Sequence, residues 1–271
     1  MDSEDAQLEQ DVIAANIEVH RTEAPYYDAL HLEETNWWER RRRLATFRGI
    51  RDRLRADGLP LTALDVGCGT GKVSINLVSL GFDVTSTDLS IDMLGVFRKR
   101  LESLDLAQPP RLVCADMFQF LSDCPDRFAL VVFCGTLHHV TDVGRAITLA
   151  AARLQPGGLF LTTHEPLKQP IRSRWRYAVH RAIARLDESL YRRYLRRFPA
   201  EVRGLDYSVS DFQRGHGGIA PDDVIAVLKA ADMEVVELSK YCSRRYGLLA
   251  ALVNALVRSE NTFQILARKA R

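Results

Sequence analysis

Three carboxylates stand where predicted strands end, and together they could bind a nucleoside. Asp65 lies in the first apolar strand, Asp88 ends the second and Asp116 ends the third. The carboxyl ends of parallel strands meet at one edge of a sheet, where α/β proteins bind their ligands. A carboxylate on the second strand can accept hydrogen bonds from both ribose hydroxyls, and one on the third from an adenine amino group. The series therefore predicts a binding site at this edge.

A glycine turn joins the first strand to a helix. Gly67, Gly69 and Gly71 hold the first, third and fifth positions, and Lys72 holds the sixth, where a dinucleotide site has glycine. Glycines allow the backbone to approach a ligand closely. Asp65, beside the turn, would repel a pyrophosphate but attract an ammonium group. The turn therefore favours a zwitterionic amino-acid cofactor over a dinucleotide.

Two adjacent histidines, His138 and His139, follow the predicted fourth strand at the same edge. A neutral imidazole near pH 7 can remove a proton from a hydroxyl or an amine, so one of the pair is a candidate general base. The alternative is that they cap a turn or pack in the core. His164 and Glu165, after the fifth strand, could orient that base or the substrate, or simply lie in solvent.

Strands and helices must alternate to bring these residues together. Five predicted strands alternate with helices up to residue 163, which indicates a doubly wound α/β sheet. The fourth strand is nearly all apolar, as expected of a central strand covered on both faces. The predicted strands are Ala63–Val66, 82–88, Arg111–Asp116, Phe128–Cys134, Leu159–Thr163, Met233–Ser239 and Thr262–Ala267.

The segments outside this alternation are helical in pattern. Residues 1–24 are compatible with a helix or with a frayed tail, and residues 37–57 form an amphipathic helix whose arginines are interpreted as its solvated face. Residues 164–219 interrupt the strand–helix rhythm with an apolar helical stripe from Trp175 to Tyr194. Ten basic and two acidic side chains lie between Lys168 and Arg197.

Composition narrows the class of protein. A net charge of +2 does not indicate a polycation, and 46% hydrophobic residues suffice for a real core. Five cysteines without a CxxC pair predict free thiols in a reducing compartment and no metal site. The acidic start is unlike a signal peptide, and no apolar run approaches about 18 residues. We therefore expect a soluble, cytoplasmic protein.

These motifs resemble those of the class I S-adenosylmethionine-dependent methyltransferases. The resemblance extends in order, and at the family's spacing, over roughly residues 60–166. It is highly specific for the cofactor and hardly specific for the substrate. The matching stretches are Leu64–Gly71, Asp88–Leu94, Cys114–Met117, Leu137–Asp142 and Leu154–Gly158.

The resemblance implies a fold and a division of the chain. The fold is a Rossmann-like, doubly wound sheet of seven strands with an antiparallel last strand, a helical N-terminal cap and an insert after strand five. The expected parts of this single domain are the cap (1–60), the S-adenosylmethionine-binding core (61–166), the acceptor-binding insert (167–220) and the C-terminal completion of the sheet (221–271).

The resemblance also implies roles for individual residues. Asp65 and the glycine turn would hold the methionine part, Asp88 the ribose, and Asp116 with Met117 the adenine. The remaining cofactor residues would border the adenine or the sulfonium or, for Tyr27, belong to an N-terminal lid. The predicted cofactor-binding residues are Tyr27, Asp65, Gly67, Cys68, Gly69, Gly71, Asp88, Leu89, Met93, Asp116, Met117, Cys134 and Gly135; the predicted catalytic residues are His138, His139 and Glu165.

The implied activity is methyl transfer to an oxygen of a small-molecule acceptor, in secondary-metabolite or antibiotic biosynthesis. Alternatives are nitrogen or carbon methylation, lipid or quinone methylation at a membrane surface through the basic helix, and a non-catalytic cofactor-binding module. Nucleic acid is not expected, because Cys134–Leu137 stands where amino-group DNA methyltransferases carry Asn/Asp-Pro-Pro-aromatic. Membrane contact is not favoured, and a homodimer is left open.

Overall fold

A seven-stranded sheet in the order β3-β2-β1-β4-β5-β7-β6 forms the centre of the structure. The computed structural model describes residues 3–168 and 173–271, so residues 169–172 of the predicted insert lie outside the described residues. β7 is antiparallel to both neighbours, and the other pairs are parallel. The strands are β1 (Thr62–Val66), β2 (Asp83–Asp88), β3 (Arg111–Cys114), β4 (Phe128–Cys134), β5 (Leu154–Pro166), β6 (Met233–Tyr241) and β7 (Thr262–Lys269).

Helices cover both faces of the sheet, and a group of N-terminal helices precedes it. Short 3-10 turns lie at Ala24–Tyr26 and Leu137–His139, and a π-helical turn at Val253–Val257. The α-helices are α1 (Ser3–Glu23), α2 (Tyr27–Leu30), α3 (Leu32–Thr35), α4 (Trp37–Ala56), α5 (Lys72–Ser79), α6 (Ile91–Glu102), α7 (Met117–Asp123), α8 (Val143–Ala152), α9 (Arg174–Leu195), α10 (Ala200–Arg203), α11 (Phe212–Gly215), α12 (Pro221–Ala230) and α13 (Gly247–Leu252).

β4 shows why the sheet needs helices on both sides. Val131 and Phe133 belong to the core under α8 and α12, whereas Leu130 and Val132 belong to the core under α4 and α5. Successive side chains of a strand point to opposite faces, so an apolar strand is stable only when both faces are covered. The predicted doubly wound sheet with an antiparallel last strand is therefore confirmed.

The strand order changes direction between β1 and β4. At this edge, residues that follow the strands cap the next helices. Ser90 caps α6 by accepting from Met93 N, and Asp142 caps α8 by accepting from Arg145 N. Caps of this kind each stabilise a helix end by about 1 kcal/mol. The crevice outside the strand ends at such a reversal is the usual ligand site of open α/β sheets.

The structure corrects two of the sequence predictions and decides one that was left open. β5 begins at Leu154, so the Pro156–Gly158 stretch continues the strand instead of only ending the preceding helix. The N-terminal stretch, which the sequence left as helix or tail, is helical over Ser3–Glu23. Of the arginines in α4, Arg43 is buried and Arg42 is largely so, which corrects their interpretation as a wholly solvated face.

Two further observations concern the surface and the thiols. All five cysteines lie within the described residues and are free, as predicted. No helix in residues 3–168 or 173–271 combines the length and the apolar character that a membrane crossing requires.

Candidate functional site

A deep cavity opens at the carboxyl ends of β1, β2, β3 and β4, with about 1070 Å³ of empty space including its mouth. Most of the predicted cofactor residues and one predicted catalytic residue line it. These are Tyr27, Gly67, Cys68, Gly69, Asp88, Leu89, Met93, Asp116, Met117, Cys134, Gly135 and His139. Asp65, Gly71, His138 and Glu165 are absent from the lining and lie behind it.

The glycine turn is a wall of the cavity that admits no side chain. Gly67 and Gly71 have φ values of 69° and 82°, in the left-handed region that favours glycine. A Cβ on Gly67 would collide with Thr136, and one on Gly71 with the ring of Phe97. Gly67 therefore lets the backbone face the cavity, whereas Gly71 permits tight packing behind it, at the start of α5.

Asp88 forms the polar floor next to this turn. Its two carboxylate oxygens accept hydrogen bonds from Gly69 N (2.7 Å) and Ser90 N (2.8 Å). Burial raises the pKa of Asp88. Each oxygen still has a second lone pair, so this carboxylate can accept hydrogen bonds from hydroxyl groups in the cavity.

Asp65 lies behind the turn and does not meet the cavity directly. It is 1% exposed, and its Oδ2 accepts a 2.5 Å hydrogen bond from Ser74 Oγ on α5. Burial raises the pKa of Asp65 to about 7. Its contact supports the strand–turn–helix geometry, so any effect on a bound ammonium group would act through the turn.

Asp116 and Met117 border the other end of the cavity. Asp116 caps α7, with its Oδ1 accepting from Gln119 N at 3.0 Å. The cap fixes the direction of this carboxylate through Oδ1 alone, so Oδ2 can accept a hydrogen bond from a molecule in the cavity. Leu89 and Met117 both line the cavity, as the proposed adenine sandwich requires.

Glu165 holds the turn that follows β4. Its carboxylate accepts from Thr136 N and Leu137 N (both 2.9 Å) and from His138 N (3.2 Å). Oε2 also lies 2.9 Å from His138 Nδ1. Burial raises the pKa of Glu165, and the backbone donors act against that rise. Glu165 therefore positions this turn and the ring of His138 from within the core.

The two histidines have different surroundings. His139 lines the cavity, whereas His138 is buried against Glu165. His139 Nδ1 lies 2.9 Å from the carbonyl oxygen of Ser210, which can only accept, so Nδ1 carries the proton and Nε2 is the acceptor. Burial, and next the proximity of His138, lowers the pKa of His139 to about 3. His139 is therefore the member of the pair that could receive a proton from a molecule in the cavity.

His138, His139 and Asp211 bring three potential ligand atoms within 4.8 Å of one another. Each already has a protein partner: Glu165 for His138, Ser210 for His139, and Arg214 at 3.2 Å for Asp211. These contacts account for the cluster, and we assign no metal to it.

Helices α1, α2 and α3 lie over the cavity, and we call them its roof. The sequence analysis did not single out the residues of α1 that line the cavity. Val12, Ile13, Asn16 and His20 of α1 are all lining residues. The ring of His20 stands edge-on to His139, with centroids 5.5 Å apart. Only the loosely helical spacing of Val12 and Ile13 could have suggested an inward face.

The roof is tied to the insert. Tyr207 Oη donates to Glu23 at 2.7 Å, and Tyr191 Oη donates to the carbonyl of Leu30 at 2.8 Å. His31 also lies 3.1 Å from Glu23. Burial would lower the pKa of His31, but its carboxylate partners raise it to about 10, so this pair is ionic at neutral pH.

Lys72, Glu34 and Tyr27 form a charged cluster at the wall near Gly135. Lys72 Nζ lies 2.9 Å from Glu34 Oε2, and Tyr27 Oη donates to Glu34 Oε1 at 3.2 Å. Burial would raise the pKa of Glu34, but Lys72 holds it well below the usual range. The cavity thus has an ionised carboxylate, supplied by the roof, close to the end of β4.

Arg43 is another lining residue that the sequence analysis did not single out. It lines the cavity, is 5% exposed, and donates from one terminal nitrogen to the carbonyl of Glu34 at 3.2 Å. Its Nε has no hydrogen-bond partner within the described residues. The signal was present, because position 43 shares a helical face with Phe47, Ile50 and Leu54.

Comparisons with known proteins fit this geometry. Residues 63–158 match a family described as a methyltransferase domain. The ubiquinone biosynthesis O-methyltransferase of Proteus mirabilis (strain HI4320) is 33% identical over 111 residues, which are 40% of this chain and 44% of that protein. The chain thus spans less than half the length of the curated relatives first matched.

Two solved structures share the fold over nearly the whole chain. The N-methyltransferase NodS from Bradyrhizobium japonicum WM9, in complex with S-adenosylhomocysteine, has a TM-score of 0.55 and 15% identity, covering 95% of this chain and 99% of NodS. The plantazolicin methyltransferase BpumL, also with S-adenosylhomocysteine, has a TM-score of 0.57 and 12% identity, covering 97% of each chain.

Proposed function

We propose that this chain, whose residues 63–158 match a family described as a methyltransferase domain, is a class I S-adenosylmethionine-dependent methyltransferase that transfers a methyl group to a hydroxyl oxygen of a small molecule. One observation supports the proposal. Asp88, whose carboxylate could bind the ribose of a nucleoside, and the neutral His139 line the same cavity. A nucleoside cofactor and an acceptor proton can thus be bound side by side.

The cavity fits S-adenosylmethionine in three respects. Asp88 has free lone pairs for the ribose hydroxyls, and Asp116 has one for the adenine amino group. The orphaned Nε of Arg43 supplies a buried cationic donor for the carboxylate of the methionine part. Glu34, which lines the cavity and also pairs with Lys72, supplies an anion for the ammonium group, whereas Asp65 would act only through the turn. Bound S-adenosylmethionine supplies the electrophilic methyl group.

Arg43→Gln should weaken the binding of S-adenosylhomocysteine by about tenfold to a hundredfold, because a charge-assisted hydrogen bond contributes about 1.5–3 kcal/mol. Methylthioadenosine lacks the amino-acid part, so its affinity should stay unchanged. Isothermal titration calorimetry with both ligands measures the contrast. Equal losses for both ligands would mean that Arg43 acts on the fold, and no loss for either would remove it from the cofactor site.

The acceptor class follows from the strength of the base. An imidazole whose pKa lies near 3 is a weak base, so it assists best those hydroxyls that lose a proton readily. Phenols and enols meet that condition, whereas aliphatic alcohols do not. Proximity and in-line orientation contribute the rest of the rate, as the buried, apolar parts of the cavity wall allow. The name of the Proteus mirabilis relative, an O-methyltransferase, supports oxygen as the target.

A methyl-transfer assay decides between acceptor types. The protein is incubated with methyl-labelled S-adenosylmethionine and matched phenolic, aliphatic-alcohol, amine and activated-carbon acceptors, and the labelled products are identified by mass spectrometry. We expect label on phenolic oxygen. Label on nitrogen or carbon would replace oxygen as the target, and tight cofactor binding without any transfer would favour a non-catalytic module. The acceptor that we propose belongs to secondary-metabolite biosynthesis.

A further inference from the structure

Exposed apolar side chains are concentrated on α9 and on the helix formed by α13 with its π-helical turn. Trp175, Leu186 and Leu190 of α9 are between 37% and 59% exposed. Leu248, Leu252 and Leu256 of the second helix are between 45% and 74% exposed. The three leucines repeat every four residues, so they share one helix face. An apolar surface of this kind marks a binding site more often than chance exposure.

The two helices form one surface. Val179 and Ile183 of α9 pack against a buried cluster that includes Val253 and Val257. His180 Nδ1 on α9 also lies 3.1 Å from Ser259 Oγ, just beyond the second helix. We call the outer faces of these two packed helices the helix-pair surface.

Exposed arginines share α9 with the exposed apolar side chains of this surface. Arg181, Arg185, Arg193 and Arg196 line a shallow groove along α9 and are exposed. Within the part of the chain that the structure describes, none of the four has a carboxylate at ion-pair distance. The excess positive charge on this face is therefore not neutralised by the protein.

The two acidic residues of α9 do not offset this charge. Asp187 and Glu188 lie 2.9 Å and 3.2 Å from Nη1 of Arg245, so both carboxylates form ion pairs with an arginine outside α9. Glu188 lines the same groove and pairs there with Arg192, so the groove holds one acidic side chain beside five arginines. The groove consequently presents a line of arginines beside an apolar stripe, on the same helix.

We propose that the helix-pair surface docks on an anionic membrane. Interfacial helices place leucines and tryptophan among the acyl chains while arginines contact phosphate headgroups, and the helix-pair surface has both features. A nucleic acid would use the arginines but leave Leu256 in water. A second copy of the chain would bring like charges together. The docking is independent of which atom the cofactor site methylates.

Vesicle flotation tests the proposal directly. The full chain is mixed with vesicles of phosphatidylcholine alone, or of phosphatidylcholine with phosphatidylglycerol, at low and high salt. We expect it to float with the anionic vesicles at low salt and to be largely released at high salt. Recovery in the protein fraction with both vesicle types at low salt would overturn the proposal.

Arginine variants locate the contact. Replacing Arg181, Arg185, Arg193 and Arg196 with Gln should lower partition to anionic vesicles by about a hundredfold or more, because each basic side chain at such a surface contributes about fivefold. The matched control replaces the same number of exposed arginines on α4 with Gln, at positions 40, 41, 48 and 53. Equal losses in the two variants would reduce the effect to net charge and contradict docking by α9.

Leucine variants test the apolar part. A triple variant should partition less to anionic vesicles and keep its affinity for S-adenosylhomocysteine; it carries Leu248→Ser, Leu252→Ser and Leu256→Ser. Ile91→Ser, at another exposed apolar site, should leave partition to the vesicles unchanged. The molar mass is measured in parallel by light scattering. A fall from dimer to monomer with unchanged flotation would assign the surface to a second copy of the chain and overturn the membrane proposal.

Discussion

Asp88→Asn should weaken the binding of S-adenosylmethionine by about a hundredfold. The carboxylate is expected to accept hydrogen bonds from both ribose hydroxyls while it holds Gly69 N and Ser90 N. Asparagine has one oxygen acceptor instead of two and adds an NH2 group where only donors converge. The loss of two charged hydrogen bonds costs about 3 kcal/mol or more, which corresponds to about a hundredfold in affinity.

The same strand provides the control. Asp83, at the opposite end of β2, is exposed, so Asp83→Asn should leave binding unchanged. Calorimetry with S-adenosylhomocysteine and methylthioadenosine should show equal losses for Asp88→Asn, since both ligands carry the ribose. Arg43→Gln, in contrast, should affect only the first ligand. Wild-type affinity in folded Asp88→Asn would remove the ribose assignment.

His139→Gln should lower kcat for a phenolic acceptor by about a hundredfold, the lower end of the range of general-base catalysis, because an imidazole with a pKa near 3 is a weak base. Glutamine keeps a donor near the Ser210 carbonyl but offers no basic nitrogen. The affinity for S-adenosylhomocysteine should change little, because the expected proton transfer involves the acceptor. Single-turnover rates with saturating cofactor measure the chemical step.

The pH dependence follows from the low pKa of His139. With a pKa of about 3, the imidazole stays neutral and able to accept a proton at neutral pH and in moderately acidic solution. The rate lost by protonation should therefore appear only as the pH falls towards 3. An ordinary histidine would lose activity near pH 6.5. A wild-type rate that halves near pH 6.5, with the protein folded, would contradict the environment described for His139.

His138→Gln distinguishes position from chemistry. This side chain contacts Glu165 in the core, so its replacement should lower the free energy of unfolding by about 1–3 kcal/mol. Its effect on kcat should be smaller than that of His139→Gln. The opposite order, in variants of equal stability, would transfer the base to His138.

The positions of the cavity-lining residues at the strand ends could be predicted because their determinants are local, while their roles in cofactor binding stay predictions. A strand followed by a glycine turn and a helix fixes the path of the backbone within about ten residues, and strand ends lie at one edge whatever the loops do. Gly67 and Asp88 were found in this way, and both line the cavity. The sequence pattern alone was sufficient here.

The roof could not be predicted, because its contacts join residues far apart in the sequence. Asn16 meets the carbonyls of His139 and Ser210, but nothing in the acidic N-terminal sequence names those partners. The division of the histidine pair likewise depends on which ring reaches Glu165, a choice set by the bulge in β5 at His164. The sequence analysis did not distinguish Arg43 from the adjacent arginines at positions 40 to 42.

The hydrogen bonds of Tyr207 and Tyr191 to the roof have a thermodynamic consequence. The roof lines the cavity proposed for the cofactor, and the insert carrying both tyrosines is the part predicted to bind the acceptor, so we expect that ordering one side orders the other. Binding free energies linked in this way are reciprocal. The factor by which S-adenosylmethionine raises the affinity for the acceptor must equal the factor by which the acceptor raises the affinity for S-adenosylmethionine. This coupling favours the ternary complex over either binary complex.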